Sequence, residues 1–74
     1  MEDEMQKSET PAKVRRAIQT LTATHGHAPS TAEIARLVGV STTRAFTAAL
    51  EEERAGRVSH VAGIHRSWRV IDNA

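Results

Sequence analysis

Residues Ser30–Glu53 read STAEIARLVGVSTTRAFTAALEEE, and this stretch decides the fold. Ser30 followed three residues later by Glu33 is a capping box, in which each side chain satisfies a backbone N–H left free at a helix start. Ile34, Leu37 and Val38 recur at helical spacing and form a stripe to be buried, with Ala35 at its edge. Gly39 closes this helix after about two turns. Ser41 then caps a second helix, with Phe46, Ala49 and Leu50 expected inward and Ala45 at the border. Arg44, Ala48 and Glu51 are expected outward, with Thr47 beside them. A small Ala35, a glycine at Gly39 and an apolar Val40 are what a tight helix-turn-helix requires: close approach, a left-handed turn residue and a pin into the core.

Working outward, Thr10-Pro11 has the form of a helix start, a hydroxyl cap followed by proline in the first helical position. Val14, Ala17, Ile18 and Leu21 give the apolar face of a helix over about residues 11–24, with Arg16 and Gln19 opposite and Gly26 past its end. His27-Ala28-Pro29 is an extended connector able to form one short edge strand. After Gly56 the period changes. Residues 57–62 and 67–71 have strand character and Gly63–Arg66 lies between them, the pattern of a β-hairpin. Trp68 and Val70 alternate with Arg69, so one face is buried and the other basic. The expected fold class is therefore mainly α with a small β-hairpin.

The 74 residues allow one domain, whose small core must be compact. The net charge of +1 hides an asymmetry. Residues 1–10 set Glu2, Asp3, Glu4 and Glu9 against Lys7, a balance of −3, whereas residues 11–74 set nine Lys/Arg against Glu33, Glu51, Glu52, Glu53 and Asp72, a balance of +4. Residues 1–10 are accordingly expected to be an acidic disordered tail with little apolar to bury, and residues 11–74 a basic domain suited to a polyanion. There is no cysteine, which excludes disulfides and thiolate metal sites. No apolar run approaches the roughly 20 residues of a membrane span, and the acidic start is unlike a secretory signal. No membrane partner is expected, and the expected location is the cytoplasm, on the nucleoid.

The segments HAPSTAEIARLVGVSTTRAFTAALEEERAGRV and GIHRSWRV resemble the winged helix-turn-helix family of bacterial, phage and plasmid DNA-binding proteins. The resemblance covers about residues 11–71. It implies three helices plus a wing, with a recognition helix (about 42–55) in the major groove of double-stranded DNA and the hairpin (about 57–71) on the flanking backbone or minor groove. Carried onto this sequence, the recognition positions are Ser41, Thr42, Thr43, Arg44, Thr47 and Ala48, and the wing positions are Gly63, Ile64, His65 and Arg66. Thr31, Arg57 and Arg69 complete the set expected to touch DNA. Glu51, Glu52 and Glu53 depart from that pattern. Phosphate repels them, so the C-terminal half of the helix is expected to point away.

Arg44 is the residue expected to read a base, since a guanidinium can make a bidentate contact to guanine; the competing role is a phosphate contact or surface ion pair. Thr42, Thr43 and Thr47 suit phosphates or thymine methyl groups, and Ser41 is a helix cap first. Arg66, at the hairpin tip, suits a narrow minor groove, or is a solvated loop charge. His25 with His27, and His60 with His65, lack a supporting carboxylate or cysteine and are read as turn histidines, so no metal or other cofactor is expected. No nucleophile motif or phosphate-binding glycine loop occurs, so the chain is not expected to be an enzyme. The resulting expectation is a small transcriptional regulator or a phage or plasmid accessory protein, acting alone, as a dimer or cooperatively on repeated sites. The alternatives are a DNA-reading module of a larger translocase, conjugation or replication protein, and a docking module that binds protein and not DNA. The acidic start at Met1 favours an independent small protein.

Overall fold

The computed structural model describes residues 2–71, with side chains from Glu9 onward. Three helices, α1 (Glu2–His25), α2 (Thr31–Val38) and α3 (Thr42–Arg54), precede two short strands, β1 (Val58–Ser59) and β2 (Arg69–Val70). The strands pair antiparallel with Val58 opposite Val70 and Ser59 opposite Arg69. One core joins all of these elements. It is built from Val14, Ala17 and Ile18 of α1, Ile34 and Ala35 of α2, Ala45, Ala48 and Ala49 of α3, Val58 and Trp68.

The turn between α2 and α3 forms as its residues dictate. Ser30 Oγ accepts the Glu33 N–H at 3.2 Å and Glu33 Oε1 accepts the Ser30 N–H at 2.8 Å, completing the capping box. Gly39 takes φ +87°, a left-handed conformation that costs other residues steric energy. That conformation lets the N–H groups of both Gly39 and Val40 reach the Ala35 carbonyl, at 2.8 and 3.0 Å. Ser41 Oγ then accepts the Arg44 N–H at 3.1 Å and starts α3.

Several expectations fail for identifiable reasons. α1 begins at Glu2, whereas the sequence pattern starts it at Pro11 with Thr10 as its cap. Glu, Met, Gln and Lys are good helix formers. Pro11 lies inside the helix, where it removes one backbone hydrogen bond and crowds the carbonyl four residues earlier, and Thr10 beside it is buried. The connector 27–29 forms no strand. Leu37, expected in the buried stripe of α2, is 52 % exposed, while Ala35 is buried in its place.

The facing of α3 is rotated from the expected one. Ala48, expected outward, is only 2 % exposed, and Phe46, expected inward, is 42 % exposed. The buried positions are Ala45, Ala48, Ala49 and Glu52. A stripe of alanines lets α3 lie close against α1, and no space for a phenyl ring remains there. Phe46 instead packs by its edge against Trp68 (6.1 Å between ring centroids) and His60 (6.3 Å).

The hairpin pairs over fewer residues than expected because its backbone donors go elsewhere. The His60 N–H bonds Glu53 Oε2 at 3.0 Å and the Val61 N–H bonds Ser67 Oγ at 3.0 Å. With those N–H groups committed, the ladder stops at Ser59 and Arg69. Residues 60–68 are left as one ordered loop.

Candidate nucleic-acid interface

The three glutamates that close α3 are not equivalent. Glu52 is 3 % exposed and bridges two other elements. Its Oε1 accepts from Arg15 of α1 at 2.7 Å and its Oε2 from Arg57 at 2.9 Å. Glu53 accepts both the backbone N–H and the Nδ1 of His60, the latter at 2.8 Å. A carboxylate only accepts, so Nδ1 carries the proton. Glu51 alone is exposed, and no ion pair holds it among the described residues.

Ser41, Thr42, Thr43 and Arg44 are all exposed at the start of α3, with Thr47 one turn on. Ala48, placed in the same set by the sequence pattern, belongs to the core and is unavailable to a ligand. Its place on the outer surface is taken by Arg54, which the sequence reading passed over. Thr43, Thr47, Leu50 and Arg54 follow at spacings of four, three and four, which is one helical face. Arg44, Thr47, Glu51 and Arg54 line an open groove of about 460 Å³ that Thr10 of α1 closes on one side. Neither Arg44 nor Arg54 takes part in an ion pair among the described residues.

The hairpin residues are tied back to α2 and α3. Trp68 Nε1 donates to Thr31 Oγ1 at 3.0 Å, which leaves the Thr31 hydroxyl proton for another acceptor. The Trp68 ring stacks on His60 with centroids 4.1 Å apart. Arg66 has φ +58°, an uncommon conformation for a residue with a side chain. Its Nη1 donates to Glu33 Oε1. The Ser30 N–H, and after it the Arg66 guanidinium, hold the Glu33 carboxyl down at about 2. Arg66 is therefore docked on the start of α2 and does not project freely from the tip. Arg69 is exposed and its Nε donates to Ser59 Oγ at 3.3 Å, while His65 is exposed in the loop. Thr31, Phe46, His65 and Arg66 border a second cavity, of about 440 Å³, between the hairpin loop and the helices.

His25 and His27 stack on each other at 5.7 Å. Among the described residues no three His, Cys, Asp or Glu side chains converge as a metal would need. No described helix is long and apolar enough to cross a membrane. Arg36, Arg44, Arg54 and Arg69 are exposed cations outside any ion pair among the described residues, whereas Glu33, Glu52 and Glu53 are bonded internally. The arrangement can present positive charge and hydroxyl donors to an anionic surface. No protein-family model matches the chain, and no similar curated protein or solved structure was found.

Proposed function

We propose that this chain binds double-stranded DNA in a sequence-specific manner as a winged helix-turn-helix module. The N-terminal half of α3 is the recognition helix and the hairpin is the wing. One observation carries this reading: of the acids near the site, Glu33, Glu52 and Glu53 are bonded within the fold, and Glu51 is the one α3 glutamate left outside an ion pair among the described residues. Glu52 bonds Arg15 and Arg57, Glu53 bonds His60 and Glu33 bonds Arg66, while Arg44 and Arg54 stay outside any ion pair on the outer side of α3. Ser41 to Arg44 and Thr47 supply donors for phosphate and base edges. Arg69, His65 and Thr31 extend the contact along the backbone. In the cell such a module serves a small regulator or a phage or plasmid accessory protein.

The test is fluorescence anisotropy with duplexes selected from a random pool, repeated over a range of salt. The expected result is an enriched sequence class whose log affinity falls linearly with log salt. Salt-independent affinity, or the same affinity for every duplex, overturns the reading. A protein-docking role is the second reading, favoured by the 52 % exposure of Leu37 on α2. It predicts that Arg44→Ala leaves partner capture unchanged and that no duplex is enriched.

A further inference from the structure

The tip of the hairpin displays two aliphatic side chains that the described part of the fold leaves more than half exposed. Residues 61–66 are all exposed, and among them Val61 and Ile64 are 59 % and 58 % exposed. Isolated exposed aliphatics are ordinary, but these two are fixed in place. The Ile64 N–H donates to the Val61 carbonyl at 3.0 Å. Gly63 has φ +80°, and Ala62 is not among the residues with positive φ, a combination that defines a type II turn. Ser67 locks this turn from behind. Its hydroxyl accepts the Val61 N–H at 3.0 Å and donates to the Ile64 carbonyl at 2.9 Å, with the Val61 carbonyl at 3.2 Å. The turn is thus ordered before any partner arrives, so presenting Val61 and Ile64 costs little further entropy on binding.

The surroundings select the partner. Residues 54–71 contain Arg54, Arg57, Arg66 and Arg69 and no Asp or Glu. The carboxylates that approach this segment are bonded to Arg57, His60 and Arg66. Those carboxylates offset Arg57 and Arg66, which leaves Arg54 and Arg69 as the arginines of this segment outside any ion pair among the described residues, and an occupant with anions outside and an apolar slot within complements this surface. Stacked bases between two phosphate backbones have that character. An aliphatic side chain driven between base pairs from the minor groove unstacks them and kinks the duplex.

We propose that the Val61–Ile64 turn is a DNA wedge: Ile64 enters a base step from the minor groove, Val61 packs behind it, and the duplex bends away. The proposal rests on the duplex-DNA reading above and adds a mode of contact to it. It also gives the turn a function that charge alone does not supply.

The test uses the full chain and a duplex selected from a random pool. 2-Aminopurine is placed in turn at each step of the selected site, and bending is measured on circularly permuted fragments. The expected result is a fluorescence rise at one step and a bend of roughly 20–90°. Ile64→Ser should abolish both while the affinity falls by roughly tenfold or less, because phosphate contacts supply most of the binding. A circular dichroism spectrum identical to that of the parent verifies folding, and Ser67→Ala, which frees the turn, should reduce the bend. A bound duplex that stays straight and quenched, or an Ile64→Ser protein that bends DNA as the parent does, overturns the wedge and leaves the DNA reading standing. Failure of every duplex to bind overturns both.

Discussion

Arg66 and Glu33, 33 residues apart in sequence, form an ion pair that fastens the hairpin loop to the start of α2. Glu33 therefore serves two structures at once: its Oε1 closes the capping box on Ser30 and also receives the guanidinium. Because both side chains are partly exposed and screened by water, the pair itself adds little to stability. Glu33→Gln keeps an acceptor for the Ser30 N–H and removes the charge. It should shift the urea midpoint only slightly and release Arg66 toward phosphate, so that DNA affinity rises. Unchanged affinity would show that the pair does not restrain Arg66 functionally.

The same carboxylate sets an acid limb of stability. Its pKa in the folded chain is about 2 against an ordinary value of 4.5. A depressed folded pKa means the contribution is complete above the unfolded value and is lost as pH falls from about 4.5 toward 2. Thermal unfolding of the parent and of Glu33→Gln, followed from pH 6 down to about pH 2.5, should converge at the acid end. Parallel curves over that range would remove Glu33 as the source.

Glu52 and Glu51 are neighbours with opposite expected behaviour. Glu52 is buried and accepts from two arginines, so Glu52→Ala should cost about 1.5–3 kcal/mol in urea or thermal unfolding. The cost is not larger because Arg15 and Arg57 keep access to water once released. Glu51 is exposed beside Arg44 and Arg54, so Glu51→Gln should change stability by less than about 0.5 kcal/mol. Its measurable effect should be tighter DNA binding, seen as a lower Kd in anisotropy at fixed salt. Equal stability losses for the two variants would contradict the burial difference.

The caps and the inter-helix turn were legible in the sequence because their bonds are local. Ser30 with Glu33, Ser41 with Arg44, and Gly39 with Ala35 each lie within four residues. The facing of α3 was not, because it depends on how closely α1 approaches. An alanine stripe permits a close approach, and Phe46 then finds its contacts on His60 and Trp68 in the hairpin. Periodicity placed the bulkiest residue inward, whereas the fold selects the smallest. The role of Glu52 was equally hidden, since Arg15 lies 37 residues earlier. In the candidate site, the hydroxyls and Arg44 were readable from the helix start. Arg54 was passed over, although it continues the Thr43, Thr47, Leu50 spacing. The docking of Arg66 was not readable, because nothing in the sequence announces a left-handed arginine.

Ala48 offers a direct check of that rotated facing. At 2 % exposure against α1 it has no room to grow, so Ala48→Leu should destabilise by about 1–3 kcal/mol through overpacking. An outward Ala48 would accept leucine with almost no change in the urea midpoint, and that outcome would restore the orientation expected from the sequence.

Under the proposed DNA reading, Arg44 and Arg54 are expected to divide the contact between reading and anchoring. Arg44 stands near the capped start of α3, where a helix entering the major groove meets base edges, and Arg54 stands at the far end of the same outer face. A base-reading arginine makes its bond to one sequence and loses it on another; a phosphate-binding arginine bonds every sequence alike. Arg44→Ala should therefore cost about 1–3 kcal/mol on the selected site and much less on unrelated duplex. Arg54→Ala should weaken both equally and reduce the salt slope by about one. Measuring both variants on both duplexes over a salt series separates the roles. A uniform loss for Arg44→Ala would move it to the backbone and leave the threonines of α3 as the source of sequence preference.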